Sequence, residues 1–397
     1  MVSATPPTNP TNPTNPTNPT SRTDLTNPPR DTNPRSRSRR LLLGGAVGAL
    51  GAGLAGATLP ASADTGLEYP PVQENGIKIT KVKDLTGPGI TSKYGLDWVD
   101  LGVVRRCPDG RSLYVFGDSF SGNWGDNWRS PTALWSPTTN PRAGVTFSGA
   151  VGGNPAAQLI PYEHGDEIST IIPSDLITLG DTMYLHAVVN QGFGNVIWSG
   201  IWTSADNGAT WQDSGARFPG DAYDRMWQLA TWELGADGWV YVYTSKFLRQ
   251  TPMILHRVRP DDLTNPDAYQ PWGKDGDTWR WGAGPDTVSD DIIGESSLRR
   301  FGDRWVFTWF DPTNYRIDAM VLDHPTQDLR QTEKITLLHG TSWDAQDANH
   351  VAQLYGSYVI PGSTLDDLHL TVSQWNTGDN SVYHVSQYRF QGLGRRL

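Results

Sequence analysis

The residues best equipped for chemistry are two aspartates, Asp100 and Asp118, in Asp97-Trp98-Val99-Asp100-Leu101-Gly102 and Val115-Phe116-Gly117-Asp118-Ser119-Phe120. Between them, Val103-Val104 and Leu113-Tyr114-Val115-Phe116 are strand formers, and Pro108-Asp109-Gly110 supplies a three-residue hairpin loop with glycine at the left-handed position. If Cys107 faces Arg111, counting outward sets Asp100 opposite Asp118, with Cβ atoms ~4.5–5.5 Å apart. Like charges so placed destabilise a sheet, so the pair must share a proton, be bridged by cations or carry chemistry. Two opposed carboxylates are the minimum equipment for cleaving a glycosidic bond. The competing reading has one Asp capping backbone amides in a turn.

The elements that must position this pair recur along the chain. No helical periodicity of useful length appears from residue 76 to 393; instead a strand, a Gly or Asp turn, a second strand and a third repeat about five times. The second strands are expected at 113–118, 183–190, 239–245, 305–310 and 368–375, and the third at 132–135, 197–203, 253–258, 317–322 and 383–388. Five rounds predict an all-β, five-bladed β-propeller in a single domain over 64–397. The segment Gly76-Ile77-Lys78-Ile79-Thr80 is placed to pair with the last blade and close the ring. Ser204-Ala205-Asp206-Asn207-Gly208-Ala209-Thr210-Trp211 has the S-x-D-x-G-x-T-W form of an Asp-box turn, a mark of such folds that says little about activity. Residues 259–291 carry Pro, Gly, Asp and Trp without alternation and read as a long loop between the third and fourth blades.

In a propeller, the innermost strand ends and the loops beside them converge on one mouth. That rule selects Asp97 and Asp100 from the first blade, Ser174-Asp175 from the second, Trp227 and Gln228 from the third, Glu295 from the fourth and 350–353 from the fifth. Second-strand ends add Asp118, His186, Lys246, Asp311, Gln374 and Trp375. Glu295 reads either as a third carboxylate or sugar-hydroxyl ligand, or as the ion-pair partner of Arg299 or Arg300. His186 fits a core histidine better than a proton carrier. Among 17 Trp, Trp98, Trp124, Trp128, Trp227 and Trp375 lie near the expected mouth, where indole faces stack on sugar rings. No nucleophile-elbow, zinc-protease, phosphate-loop or Cys/His motif is present, and Asp275-Gly276-Asp277 and Asp290-Asp291 lack EF-hand spacing, so neither a metal nor a cofactor is expected.

Residues 1–37 are rich in Thr-Asn-Pro and cannot bury a core, which predicts disorder. Ser38-Arg39-Arg40-Leu41-Leu42-Leu43, a Gly/Ala/Leu run and Ala61-Ser62-Ala63 follow, the pattern of a twin-arginine secretory signal over 38–63. The apolar run is too short and Gly-rich for a stable membrane anchor, and the lone Cys107 excludes both a disulfide framework and a lipobox. A secreted, extracellular monomer is expected. Residues 1–63 hold six Arg and two Asp, so the formal −10 of the chain becomes −14 on the remainder. That charge argues against nucleic acid as a partner and fits a neutral polysaccharide.

Gly95-Leu96-Asp97-Trp98-Val99-Asp100-Leu101-Gly102, Phe116-Gly117-Asp118-Ser119-Phe120, Gly294-Glu295-Ser296-Ser297-Leu298 and Tyr355-Gly356-Ser357-Tyr358-Val359-Ile360-Pro361 together resemble the secreted bacterial endo-D-arabinanases, a family long known only as a domain of unknown function. The resemblance covers about 76–393. It implies a five-bladed propeller hydrolase that cuts internal α-D-arabinofuranosyl linkages in mycobacterial-type arabinogalactan and lipoarabinomannan, with the first-blade acids, Asp100 and Asp118, catalytic. Ser119 stands where many relatives have Thr, which leaves the acid in place. Asp118 is expected as acid and Asp100 as base, with inversion favoured by a wide, wet mouth. Two other classes stay open: a non-catalytic glycan-binding propeller, and a sialidase-like enzyme, which would need an arginine cluster such as Arg299, Arg300 and Arg316 with a nucleophilic Tyr.

Overall fold

A computed structural model describes residues 68–396; the expected Thr-Asn-Pro tract and signal segment lie outside the described residues. Alternating apolar residues build five antiparallel-rich sheets arranged as the blades of a propeller, with no α-helix among the described residues. Blade 1 runs Trp98–Arg106, Ser112–Phe120, Thr132–Ser136 and Gly149–Ala150. Blade 2 is Thr170–Leu179, Thr182–Asn190, Val196–Ser204 and Gln212–Pro219. Blade 3 comprises Leu229–Leu234, Val240–Ser245, Ile254–Val258, Gln270–Asp275 and Thr278–Trp281. Blade 4 comprises Ser296–Phe301, Arg304–Asp311, Arg316–Leu322, Ile335–Thr341 and His350–Ala352. Blade 5 takes Leu354–Val359, Asp367–Trp375 and Tyr383–Gln391, then finishes with the N-terminal Ile77–Asp84 and Val72–Glu74.

That last pairing, Lys78 with Gln391 and Ile79 with Phe390, is the closure expected from the sequence. It hides what would otherwise be a free strand edge. The segment 259–291 departs from expectation: it is not a long loop but adds the hairpin Gln270–Asp275 and Thr278–Trp281 to the outer edge of blade 3. Short strands carrying Pro271 and Gly273 hide the alternation that would have revealed it.

The first strand of each blade packs against the first strands of its neighbours around the central axis. Val103, Leu113, Val115, Leu185 and Val372 are fully buried between the sheets. Two bidentate ion pairs cross the axis, Arg105 to Glu233 and Arg299 to Asp175, and Asp175 also accepts from Thr231 Oγ1 and the Trp232 amide. Buried pairs of this kind fix which blade faces which more than they add net stability. The Asp-box turn lies at the end of the propeller where first strands finish. Its Asp206 binds the Thr210 amide and hydroxyl, and its Asn207 carbonyl accepts from Trp135 of blade 1. Its role is therefore structural, as read.

Candidate active site

The opposite end, where first strands begin, gathers Asp100, Thr170, Glu295 and Tyr355 from four blades. The hairpin ladder holds from Arg106–Ser112 to Val103–Val115 in the counted register, then passes two compensating bulges. Gly102 is extra on one strand, Gly117-Asp118 faces the single residue Asp100 on the other, and the register is recovered at Val99–Ser119. Asp100 thus meets Gly117-Asp118 rather than Asp118 alone. Leu101 adopts φ 68°, a conformation that costs a non-glycine residue about 1–2 kcal/mol. Blade 5 holds it there: Ser373 Oγ accepts the Leu101 amide at 2.8 Å, and Thr371 Oγ1 donates to the Gly102 carbonyl at 3.0 Å. A Cβ on Gly117 would overlap Asp100 Oδ1, so the glycine before Asp118 makes room for the other carboxyl.

The two carboxyls have different surroundings. Asp100 Oδ2 accepts from Tyr355 at 2.9 Å, and the nearby Tyr383 hydroxyl also favours the ionised form of this carboxyl, whereas Oδ1 is shut off from solvent with no partner. Burial first, then the charge of Asp118, outweighs the two tyrosines and pushes Asp100 up to about 8. Asp118 Oδ1 accepts from Trp128 Nε1 at 2.8 Å and from Thr170 Oγ1 at 2.7 Å. Burial raises Asp118 too, but these donors and His164 oppose it by favouring the ionised form. Both carboxyls are therefore raised, and Asp100, pushed to about 8 with the Asp118 charge beside it, is placed to keep its proton near neutral pH, the reverse of the roles expected from the sequence.

Glu295 pairs with neither Arg299, which is held by Asp175, nor Arg300. Its partner is Arg249, with Nη2 2.6 Å from Oε1. Arg249 follows the second strand of blade 3 and lies 5.2 Å from the Tyr355 ring centroid, which joins the ion pair to Asp100. Glu295 Oε2 is buried with no partner. Sequence reasoning placed Lys246 here and missed Arg249, Thr170, His164, Tyr355 and Tyr383 as site residues. Arg249 lies in a turn at φ 57° with no motif around it to mark it.

Among the aromatic candidates, Trp124 and Trp375 stack at 5.9 Å and both edge onto Tyr383. Trp98 adjoins Trp124, and Trp128 covers Asp118 while stacking on His164 at 3.8 Å. Asp97 is near but committed to the Ser92 hydroxyl and the Gly122 amide. The rest do not reach the carboxylates. His186 is buried between Phe218 and Trp232, with burial lowering it to about 3, so it is a core histidine. Trp227 is buried against Phe218, His256 and Tyr269, and Gln228 ties the Gly220 carbonyl to the Phe247 amide. Asp311 caps the turn through Thr313 and Asn314, and Gln374 bonds Gln346, Ala352 and His384. Asp311 and Gln374 do end second strands and Trp227 and Gln228 do precede a first strand, but their side chains are taken up by local packing and hydrogen bonds, while His186 lies in the middle of Thr182–Asn190. No group of three metal-ligating side chains occurs among the described residues.

The fold and site define a five-bladed propeller with a buried, unequally solvated carboxyl pair at one end of its axis. The chain belongs to the family described as a domain of unknown function (DUF4185), whose model matches residues 86–389. It is 28% identical over 329 residues to an uncharacterized 35.9 kDa protein of Mycolicibacterium smegmatis, covering 76% of this chain and 95% of the relative. It is also 28% identical to notoamide biosynthesis cluster protein J' of Aspergillus versicolor, covering 73% and 84%. A Bacteroides ovatus crystal structure described as a "putative hydrolase" superposes with a TM-score of 0.59 at 14% identity, over 85% of this chain and 97% of that one. That likeness is one of fold.

Proposed function

We propose that this protein is a glycoside hydrolase acting on internal α-D-arabinofuranosyl linkages of mycobacterial-type arabinan. The observation that carries the reading is the meeting of Asp100 and Asp118 at one end of the axis with Asp100 pushed up to about 8, since a carboxyl that keeps its proton beside a second carboxyl is what acid/base cleavage of a glycosidic bond requires. Asp100 donates its proton to the leaving oxygen. Asp118, beside the partly exposed Trp128, activates water on the opposite face of the sugar, which gives inversion. Glu295, fixed by Arg249, offers Oε2 to a sugar hydroxyl. The motifs shared with the endo-D-arabinanases support the arabinan substrate, and the acidic surface suits a neutral polymer. A glycan-binding propeller has no comparable use for the carboxyl pair.

Chromatography of an early digest of purified arabinogalactan tests this directly. Oligosaccharides should appear first, with proton NMR showing the inverted anomer. Free arabinose as the main early product would refute internal cleavage, and saturable binding without new reducing ends would refute catalysis.

A further inference from the structure

Six large hydrophobic side chains are exposed among the described residues: Ile90, Trp128, Phe193, Tyr223, Leu248 and Tyr315. Chain direction places all six on loops at the end of the propeller that carries Asp100 and Asp118. Each loop either leads into a first strand or connects a second strand to a third. The opposite end carries the charged turns, with Asp109, Arg111, Asp237 and Arg300. Scattered exposed apolar residues need no explanation, but confinement to one face does.

Phe193 is the extreme case at 84% exposed. It sits in the 191–195 turn of blade 2, with its ring 6.3 Å from Phe247 of blade 3, while Leu248 packs over Gly194 in the same turn. The next residue, Arg249, binds Glu295 and covers Tyr355, which bonds Asp100. On the far side of Asp100, Tyr383 leads to Trp124 and Trp375 of blades 1 and 5. Two apolar surfaces thus flank the carboxyl pair, one joined to it through Tyr355, which bonds Asp100, and the other through Tyr383, whose hydroxyl lies beside it.

We propose that Phe193, Phe247 and Leu248 form a distal sugar-binding platform, on which a ring of the glycan chain stacks several residues away from the scissile bond. This rests on the glycosidase reading and places the platform on the loops between second and third strands of blades 2 and 3. A glycan is the occupant because the platform is continuous with the carboxyl pair, and an acidic chain is repelled by an anionic bilayer. Contacts remote from the bond position it, so the platform acts only on chains long enough to reach it.

The test compares wild type with Phe193→Ser and Leu248→Ser on arabinan and on the shortest oligosaccharide that is cleaved. Phe193 is almost wholly in solvent, so its replacement leaves folding intact. Each change should lower kcat/KM on the polymer about tenfold, as expected for losing a stacked ring contact, and leave the short substrate within about twofold. Equal losses on both substrates, or no loss on the polymer, would overturn the platform while leaving the glycosidase reading standing. Absence of wild-type cleavage would instead refute that reading. Co-sedimentation with anionic vesicles that Phe193→Ser abolishes, with polymer kinetics unchanged, would reassign the patch to a membrane and overturn the proposal.

Discussion

Replacing Asp100 by Asn should abolish turnover and stabilise the protein at alkaline pH. A carboxyl raised in the folded state to about 8, from about 4 unfolded, binds more protons folded than unfolded between those values. Its contribution to stability is therefore complete below pH 4 and lost as pH rises through 8. At roughly 1.4 kcal/mol per tenfold change in proton affinity, full ionisation costs about 5 kcal/mol. Relaxation of the surroundings around the charge offsets part of this and leaves about 2–3 kcal/mol at pH 9. Asn keeps the shape and carries no charge, so the variant should match wild type at pH 5 and unfold roughly 4–6 °C higher at pH 9. Thermal unfolding of both proteins at pH 5, 7 and 9 measures the difference and cancels the titrating groups that are not coupled to Asp100. A variant that is less stable by the same amount at all three pH values would show that Asp100 is ionised in the fold, and the assignment of the acid would fall with it.

Tyr355→Phe removes a donor that favours ionised Asp100, so the alkaline limb of the kcat/KM profile should move upward from near 8 by about one pH unit; an unmoved limb would mean that another group titrates there. Gly117→Ala meets no left-handed backbone requirement but drives a methyl group into Asp100 Oδ1, so kcat should fall about a hundredfold with the unfolding temperature nearly unchanged. Wild-type turnover in that variant would remove Asp100 from the chemistry.

How much of this was legible in the sequence depended on whether the signal was local. Strand alternation and the Asp-box turn carry the five blades because each is set by neighbours within a few residues, and the second and third strands lie close to where alternation puts them. The Pro108-Asp109-Gly110 turn fixed the register near the loop, and the two bulges at Gly102 and Gly117 cancel, which is why counting still brought Asp100 to Asp118. The environments of the two acids were not legible. They depend on Tyr355, Tyr383, Thr170 and Arg249, contributed by other blades, and no spacing along the chain announces which hydroxyl meets which carboxyl. The failures at His186, Trp227, Gln228, Asp311 and Gln374 have local causes. A one-residue shift turns a strand side chain to the other face, and bulges interrupt blades 2 and 5, which hold His186 and Gln374, whereas Trp227, Gln228 and Asp311 are taken up by packing and hydrogen bonds beside their strand ends.

The bulge at Leu101 links these observations to chemistry. A leucine held at φ 68° beside Asp100 is unfavourable by itself, and it persists because Ser373 and Thr371 of the last blade bond the backbone on either side of it. Asp100 is therefore aimed by the closure of the ring: the strand that pins Leu101 is the one that pairs with Tyr383–Gln391, which in turn pairs with the N-terminal Ile77–Asp84. The same strand pair delivers Tyr383 to the Asp100 carboxyl. In this chain the seam that completes the propeller also completes the acid's surroundings, so loosening the seam should cost activity before it costs the fold.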